Sequence, residues 1–477
     1  MAYKAPLMHI AGKWTQGSAP EGEVRNPADN SVLSGLARAD QSDLDRALAS
    51  AQRGFEHWRG ISAEKRCELI LAGVALLRER ADAIAQIITL EQGKPVGEAR
   101  TEVLRAAAII EWDANEGRRA YGTVVPGEPG FMRYGLRLPI GPVAAFTPWN
   151  FPISSPARKI GGAIAAGCSV VVKASEETPG SAAALVECLI DGGVPGDVIN
   201  LVFGDSRMIS SYLIASPVIR AITFTGSTPV GKHLARLAAD HAKPAVMELG
   251  GHAPVIISAD ADIEAVVREG VGAKFRNAGQ ICVCPTRFIV ERPIYADFVD
   301  AYGAAVSKLN VGNGLESGVQ MGPLANKRRL DAISEMVEDA VRRGGRVVTG
   351  GERIGNAGYF HQPTVLADLP ADAMVLNEEP FGPLAPVMAF DTFEEAITIA
   401  NSLPFGLASY AFTTSQQRAH ELAMRVESGI MSINHFGSST PDTPFGGVKE
   451  SGYGREGGYE TLDAFMVTKF ISHRVAG

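Results

Sequence analysis

The chain has 477 residues, of which 46% are hydrophobic, and a formal net charge of −8 at pH 7. Its length exceeds what one hydrophobic core usually supports, so we expect two or three packed units. The negative charge argues against a nucleic-acid partner, and no apolar run approaches the ~18 residues of a membrane helix. The N-terminal residues lack a signal-peptide pattern, and five cysteines are too few for a disulfide framework. We therefore expect a cytoplasmic protein that binds small molecules.

The first part of the chain predicts helices followed by a hairpin. Residues 40 to 120 are rich in Ala, Leu, Arg and Glu, which favour helices. Residues 122–140 combine turn residues with an extended pattern, and this predicts a protruding hairpin.

From residue 140 to 260, short β-branched runs alternate with helical stretches, which is typical of a parallel sheet covered on both faces. Thr178 and Pro179 predict one helix start, as the N-cap and the first helical residue. The strands of this series are predicted at residues 143–146, 169–172, 198–203, 221–224 and 254–257.

A second alternating series follows residue 282, so the fold class is predicted as α/β with two parallel-sheet units. Its segments are residues 287–290, the helix-like 295–309, 346–349 and 394–399.

Three segments carry groups suited to carbonyl chemistry. Cys282 follows a glycine-containing turn in Phe-Arg-Asn-Ala-Gly-Gln-Ile-Cys-Val-Cys-Pro-Thr-Arg, residues 275 to 287. Asn150 stands in Thr-Pro-Trp-Asn-Phe-Pro, and Glu248 stands in Met-Glu-Leu-Gly-Gly. A thiol can attack a carbonyl, an amide can hold the resulting oxyanion, and a carboxylate can activate water. Taken alone, Cys282 is more often a buried structural cysteine.

Together, and in this order along nearly the whole chain, these segments resemble the aldehyde dehydrogenase superfamily. The resemblance implies that the Cys282 thiolate attacks an aldehyde, while the Asn150 side chain and the Cys282 backbone N–H hold the oxyanion. It also implies oxidation by a nicotinamide cofactor and hydrolysis of the thioester with Glu248 as general base. Because the branch that transfers its acyl group to coenzyme A lacks this glutamate, hydrolysis to the acid is favoured.

The resemblance implies an aldehyde dehydrogenase-like fold with two Rossmann-like parallel-sheet domains and a small β oligomerisation element. The predicted boundaries are 1–121 and 141–247 for the NAD-binding domain, 248–458 for the catalytic domain, and 122–140 and 459–477 for the oligomerisation element. Pairing across subunits through that element predicts a homodimer or a homotetramer.

For the cofactor, residues 171 to 179 resemble the family's adenine-ribose segment, with Lys173 and Glu176 at the ribose. A carboxylate accepts hydrogen bonds from a ribose 2′-OH and repels a 2′-phosphate, so Glu176 favours NAD, with NADP as the alternative. No metal site is expected, because the histidines lack metal-ligand spacing. The remaining cofactor positions implied by the resemblance are Thr147, Trp149, Gly226, Ser227, Gly231, Leu249, Glu379 and Phe381.

Two arginines narrow the substrate. Arg158 and Arg276 match positions with which succinic semialdehyde dehydrogenases hold the far carboxylate, a task that suits guanidinium forks. Either could instead be a structural arginine. The loop residues Ser439, Thr440 and Phe445 are further substrate candidates, and residues 434 to 439 are at least as similar to 2-oxoglutarate semialdehyde dehydrogenases. Both semialdehydes stay open, and a neutral aldehyde is the alternative.

Cys284 resembles the second cysteine of a Cys-x-Cys pair that forms a reversible disulfide in some succinic semialdehyde enzymes. A passive second thiol is an equally good interpretation, since short loops resist bridging. A cysteine hydrolase without cofactor is the alternative enzyme class, and a requirement for NAD separates the two. A non-catalytic relative is disfavoured, because the catalytic positions are retained.

Overall fold

The computed structural model describes residues 3–437 and 439–474. Two large sheets and three small ones form its β structure. Ser438, in the loop predicted to bind substrate, and residues 475–477, at the end of the predicted oligomerisation element, lie outside the described residues.

The first large sheet has eight strands, and its central strands are parallel. Three of them are buried at every position, as expected for a parallel sheet that is covered on both faces. In spatial order the strands are Lys13–Thr15, Met8–Ile10, Ile199–Val202, Val170–Lys173, Val143–Phe146, Ala221–Thr225, Ala245–Glu248 and Gly452–Tyr453.

The second large sheet has seven strands, of which only the first pair is antiparallel among the described residues. The spatial order is Arg346–Thr349, Thr364–Ala367, Leu384–Phe390, Pro285–Glu291, Ala253–Ile257, Ala408–Phe412 and Ile430–Ile433. Two mostly parallel sheets confirm the predicted α/β fold class. The assignment of one to NAD and the other to catalysis, with the predicted boundaries, stays a prediction.

Two segments lie in a different sheet from the one that their series or range predicts. The first, at 254–257, belongs to the first series of alternating segments, although it stands after the predicted domain boundary at residue 247. The strand predicted at 254–257 within the first series is Ala253–Ile257, and it lies in the second sheet between Pro285–Glu291 and Ala408–Phe412. No helix separates it from the preceding strand Ala245–Glu248. The alternation of strands and helices in the sequence therefore does not indicate that the chain enters the second sheet here. Conversely, Gly452–Tyr453, from the range predicted for the catalytic domain, pairs with the first sheet.

Fourteen α-helices occur in the described residues, and seven of them have a side-chain N-cap. Asp40 forms a capping box with Asp43, and Thr178 with Pro179 starts a helix as predicted. None of these helices has the length and apolar character of a membrane span. The helices are Gln41–Trp58, Ala63–Glu79, Ala81–Gln92, Val96–Gly117, Ser154–Ala166, Pro179–Asp191, Ser206–Ala215, Thr228–Asp240, Ile263–Phe275, Tyr295–Val306, Lys327–Arg342, Met374–Asn377, Phe393–Asn401 and Gln416–Arg425.

A three-stranded antiparallel sheet confirms the predicted hairpin. Its strands Thr123–Val125 and Phe131–Pro139 form the hairpin, and Met466–Arg474 pairs with the second of them. The other small sheets pair Gly22–Arg25 with Val32–Leu36 and Phe405–Gly406 with Val448–Lys449. Short 3₁₀ helices occur at Arg276–Gly279, Arg292–Ile294 and Tyr459–Phe465.

Candidate active site

Cys282 lies in a strained loop just before a strand of the second sheet. Asn277, Ala278 and Gly279 have φ values of 52°, 51° and 72°, a region that costs ~1–2 kcal/mol for a residue with a side chain. At Gly279 a Cβ would also lie 2.2 Å from the carbonyl oxygen of Gly382. The loop therefore requires glycine at 279 and support for the two residues before it.

Buried polar groups supply that support. Asn150 Nδ2 donates to the Gln280 carbonyl at 3.0 Å, and Asn277 Nδ2 donates to the carbonyls of Asn150 and Gln280 at 3.0 and 3.1 Å. Gln92 Nε2 donates to Asn277 Oδ1 at 2.7 Å, and Lys94 Nζ donates to the Asn150 carbonyl at 2.8 Å. Because each such bond contributes ~1 kcal/mol net, the network can offset the strain of the loop. It also fixes the amide of Asn150 beside the cysteine loop.

The Cys282 thiol is held in its protonated form. Burial raises its pKa to about 12, and the charges of Glu379 and Glu248 add to this effect. The backbone N–H groups of Cys282 and Val283 donate toward the sulfur and act in the opposite direction. Such a thiol needs a base or a positive charge beside it before it can attack a carbonyl.

Glu248 ends a strand of the first sheet and is 2% exposed. Both of its carboxylate oxygens are buried and lack a hydrogen-bond partner among the described residues. Burial raises the pKa of Glu248 well above its ordinary value, and the charge of nearby Glu456 adds to the shift. Glu456 is itself buried and pairs with Lys159 Nζ at 2.6 Å. A carboxylate with free lone pairs and a raised pKa suits a general base.

Cys282 faces a cavity of about 350 Å³, here called the Trp149 cavity. Asn150, Arg328 and Arg329 also line it, and the Trp149 ring meets the Phe381 ring edge to face at 5.6 Å between centroids. Six of the residues predicted to bind cofactor are in the lining, namely Trp149, Gly226, Ser227, Leu249, Glu379 and Phe381.

The other four predicted cofactor residues, Thr147, Lys173, Glu176 and Gly231, are outside the lining of the Trp149 cavity. Gly231 packs against Leu249, since a Cβ at 231 would lie 2.2 Å from that side chain. Lys173 is the last residue of the strand Val170–Lys173, and Glu176 follows that strand. This strand pairs in parallel with Val143–Phe146, which Thr147 follows. They therefore extend the same edge of the sheet.

Charged and polar groups at this edge have partners. Lys173 Nζ donates to Ser206 Oγ at 2.7 Å. Glu176 forms an ion pair with Arg38 at 3.1 Å, and both side chains are about one-third exposed. Any ligand that takes one member of the Glu176 and Arg38 pair has to compete with the other.

On its other side Cys282 faces a second cavity, here called the arginine cavity, because Arg105, Arg158 and Arg276 line it. The predicted substrate residues Ser439 and Phe445 are also in this lining. The rest of the lining is mixed. Ile109, Phe151, Ile281 and Val283 are apolar, and Ser154, Ser155, Thr225 and Glu456 are polar.

Arg158 is buried at the centre of this cluster. Its Nη2 donates to Ser439 Oγ at 2.8 Å, and its guanidinium lies 4.6 Å from the centroid of the Phe445 ring. Its Nη1 is buried without a partner among the described residues. Thr440 is outside the cavity lining, and its hydroxyl and carbonyl instead bond to the Thr443 hydroxyl in a turn.

Residues 14–471 match the family model described as the aldehyde dehydrogenase family. The chain belongs to the aldehyde dehydrogenase family. It is an oxidoreductase that uses NAD(P) to oxidise aldehydes, which confirms the enzyme class predicted from the sequence.

Two relatives and one solved structure place the chain within this family. It is 50% identical over 476 residues to the 4-(hydroxymethyl)benzenesulfonate dehydrogenase of Comamonas testosteroni, with 99% of both chains covered. It is 40% identical over 464 residues to the NADP-dependent succinate-semialdehyde dehydrogenase of Escherichia coli, covering 97% of this chain and 96% of the relative. An NAD+ complex of the Bacillus cereus aldehyde dehydrogenase superposes with a TM-score of 0.97 at 32% identity, covering 100% of this chain and 98% of that chain.

The Trp149 cavity has groups that fit the nicotinamide cofactor of an aldehyde dehydrogenase. Gly226 and Ser227 lead into the helix Thr228–Asp240, which has no acidic residue in its first turn and no side-chain cap, so its free N–H groups suit a pyrophosphate. Arg329 Nε is buried without a partner among the described residues. Glu379 is a half-buried carboxylate whose pKa is raised to about 7 by desolvation, and it can accept from ribose hydroxyls.

Sequence reasoning missed three polar residues of this aldehyde dehydrogenase site. Lys159 and Glu456 form an ion pair although they are 297 positions apart in the chain. The one signal in the sequence was a lysine within an Ala-rich helix, since a lysine that is buried there needs an acidic partner. Arg105 gave no signal, because an arginine on a mixed helix is ordinary. Its Nη2 donates to the carbonyl of Ser439, and burial together with the charges of Arg158 and Arg276 lowers its pKa to about 10.

Cys284 is 3% exposed and is in the lining of neither cavity. Lys274 Nζ donates to its sulfur at 3.4 Å, and Cys284 Sγ lies 3.5 Å from the Lys274 carbonyl. The thiol therefore has local partners, and its predicted redox pairing with Cys282 stays a prediction.

Proposed function

We propose that this aldehyde dehydrogenase oxidises aldehydes that carry an anionic group at the end remote from the carbonyl. The observation that carries the proposal is the arginine cavity, in which three arginines adjoin Cys282 and none forms an ion pair with a carboxylate among the described residues. Clustered guanidinium groups with unused donors in a partly buried site favour an anion. The cavity thus selects for charge at one end of the substrate and presents the thiol at the other.

Two kinds of anion are supported. The succinate-semialdehyde dehydrogenase of Escherichia coli supports an ω-carboxylated semialdehyde, such as succinic semialdehyde or 2-oxoglutarate semialdehyde. The Comamonas testosteroni relative is named for a substrate that carries a sulfonate. Both substrate classes place a strong anion away from the reacting carbon, which is the arrangement that the arginine cavity suits.

In the proposed mechanism the Cys282 thiol gives its proton to Glu248, which passes it on to solvent, and the sulfur forms a bond to the aldehyde carbon. The oxyanion that results accepts hydrogen bonds from the Cys282 backbone N–H and from the Asn150 Nδ2 hydrogen that Gln280 does not use. When bound, NAD(P) supplies the oxidising power by accepting the hydride of that carbon. The thioester on Cys282 is then attacked by water.

Glu248 is the proposed general base for that water. Both of its oxygens lack another hydrogen-bond partner among the described residues. Its raised pKa makes the carboxylate a stronger base for the proton of that water. The nearby Lys159 and Glu456 pair sets the charge around it. Lys173 and Glu176 would hold the adenosine ribose, Glu379 the nicotinamide ribose, and the Gly226–Ser227 turn the pyrophosphate. NAD is the proposed preferred cofactor, with NADP as the alternative.

Assembly as a homodimer or homotetramer is part of the proposal. The three-stranded sheet exposes several large apolar side chains, including Val124 at 88% and Phe470 at 62%. A surface of this kind favours burial against another copy of the chain. Size-exclusion chromatography with light scattering tests it, and a monomer would contradict it.

The proposed activity is tested by following NADH or NADPH formation with succinic semialdehyde, 2-oxoglutarate semialdehyde and hexanal, each with NAD or NADP. We expect kcat/KM for the two carboxylated aldehydes to exceed that for hexanal by at least about tenfold, the effect of one good charged contact. Preference for hexanal would contradict the anionic substrate. Absence of reduction with every aldehyde would contradict the dehydrogenase itself and favour a hydrolase.

A further inference from the structure

Arg105 places a third guanidinium in the arginine cavity. It projects from the helix Val96–Gly117, whereas Arg158 belongs to Ser154–Ala166 and Arg276 follows Ile263–Phe275. The three side chains thus reach the cavity from three different elements. The charges of Arg158 and Arg276 both act on Arg105, so the three guanidinium groups lie close enough together to serve one anion.

Ser439 links two of these arginines. Arg105 Nη2 donates to the Ser439 carbonyl, and Arg158 Nη2 donates to the Ser439 hydroxyl at 2.8 Å. Each guanidinium carries five N–H donors, so most of their capacity is unused, and Arg158 Nη1 is buried without a partner among the described residues. Glu456, the carboxylate among the described lining residues, is already paired with Lys159.

Resting on the function proposed above, we propose that the arginine cavity is built for a sulfonate, with Arg105 as the specificity-determining residue that binds its third oxygen. A carboxylate is planar and offers two oxygens, which a guanidinium fork and one further donor can satisfy. A sulfonate is tetrahedral and offers three equivalent oxygens in three directions. Donors on three separate elements match the tetrahedral group better than the planar one.

The apolar part of the cavity lining, which Ser154, Ser155 and Thr225 supplement with hydroxyl groups, indicates what connects the two ends of the substrate. Phe151 and Phe445 line the cavity together with Ile109, Ile281 and Val283. Flat aromatic and branched aliphatic side chains suit an aromatic ring. The substrate class is therefore an aromatic aldehyde with a sulfonate on the opposite side of the ring.

The test compares 4-formylbenzenesulfonate, 4-formylbenzoate and benzaldehyde, which share one skeleton, on the wild type, Arg105→Met and Arg100→Met. Arg100 lies on the same helix but is exposed and paired with Asp82, so it is the matched control. For Arg105→Met we expect kcat/KM to fall by about 10- to 100-fold with the sulfonate, by about threefold or less with the carboxylate, and not at all with benzaldehyde. Arg100→Met should behave as the wild type.

An equal loss on sulfonate and carboxylate, or no loss on either, would overturn the role of Arg105. A wild type that prefers benzaldehyde to both anions would instead contradict the proposed function, so the two failures are distinguishable. Thermal shift with benzenesulfonate and benzoate gives a second readout without turnover. We expect the wild type to be stabilised more by benzenesulfonate at equal concentration. Equal stabilisation by benzoate would also overturn the sulfonate proposal.

Discussion

The two cavities that adjoin Cys282 differ in how their arginines are paired with carboxylates. Beside the Trp149 cavity, Arg328 pairs with Glu177 at 3.1 Å, and Arg329 lies near enough to Glu379 for its charge to lower the pKa of that carboxyl. In the arginine cavity the three arginines form no ion pair among the described residues, although the charges of Arg158 and Arg276 also act to lower the pKa values of Asp113 and Glu98. A cofactor on the first side exchanges partners that already exist, whereas an anion on the second side fills donors that are open. We therefore expect a modest preference between NAD and NADP, and a strong preference for anionic over neutral aldehydes.

Loss of the thiol should have the largest effect and leave both cavities intact. Cys282→Ala should lower the rate of aldehyde oxidation by about 10⁴-fold or more, because no other group can form the covalent intermediate. Thermal shifts produced by NAD and by an anion such as succinate should persist. Cys67→Ala, which removes a buried thiol outside the lining of both cavities, is the control. Substantial oxidation by Cys282→Ala would contradict the nucleophile.

Loss of the base should stop turnover after the first oxidation. Glu248→Gln should lower kcat by about 10²- to 10⁴-fold and still give a burst of NADH close to one per active site, although a slower one, because Glu248 also takes the thiol proton. In the wild type, kcat should fall as pH drops through the raised pKa of Glu248, because the carboxylate form is then lost at pH values where an ordinary glutamate is still ionised. Stopped-flow absorbance measures both effects.

Two results would contradict this role of Glu248. One is the absence of a burst in Glu248→Gln, which would place the defect before thioester formation. The other is an unchanged steady-state rate, which would assign the base to another group. Glu264→Gln changes an exposed carboxylate in the first turn of the helix Ile263–Phe275 and serves as the control.

The sequence was sufficient for groups whose chemistry is carried by a short contiguous motif. Cys282 and Asn150 line the Trp149 cavity, and Arg158 and Arg276 line the arginine cavity with Cys282, whereas Glu248 is in the lining of neither. Their catalytic and binding roles stay predictions. Arg105 was not predictable, because its role arises from helix packing that brings it to Ser439, far away in the chain. Periodicity describes which face of a helix is polar and does not say what that face meets.

The fold shows the same limit. The strands and the hairpin followed from local patterning, but Ala253–Ile257 joined the second sheet and Gly452–Tyr453 joined the first. Both segments are too short, and too like their neighbours in composition, for local propensity to decide which sheet they enter. Tertiary pairing decides it.

Removing one arginine should reduce the preference for an anionic over a neutral aldehyde. Arg158→Met should lower kcat/KM for succinic semialdehyde by about 10- to 100-fold, because a buried charged donor is lost, and leave hexanal within about threefold. Arg236→Met, which changes an exposed arginine of the helix Thr228–Asp240, should change neither. A similar loss on both aldehydes would mean that Arg158 supports the fold of the cavity rather than substrate charge.

The expected effect on the preference between NAD and NADP is smaller, because the charges of Glu176 and Arg38 compensate each other in an ion pair. Glu176→Gln removes the carboxylate that would repel a 2′-phosphate and frees Arg38 to bind one, so the ratio of kcat/KM for NADP to that for NAD should rise by about tenfold. Arg38→Met should lower the same ratio and leave NAD use nearly unchanged. If Glu176→Gln lowers the use of both cofactors equally, Glu176 acts through the position of the loop and not through the ribose. Opposite shifts in the two variants would show that one surface ion pair sets cofactor choice, while unpaired arginines set substrate choice.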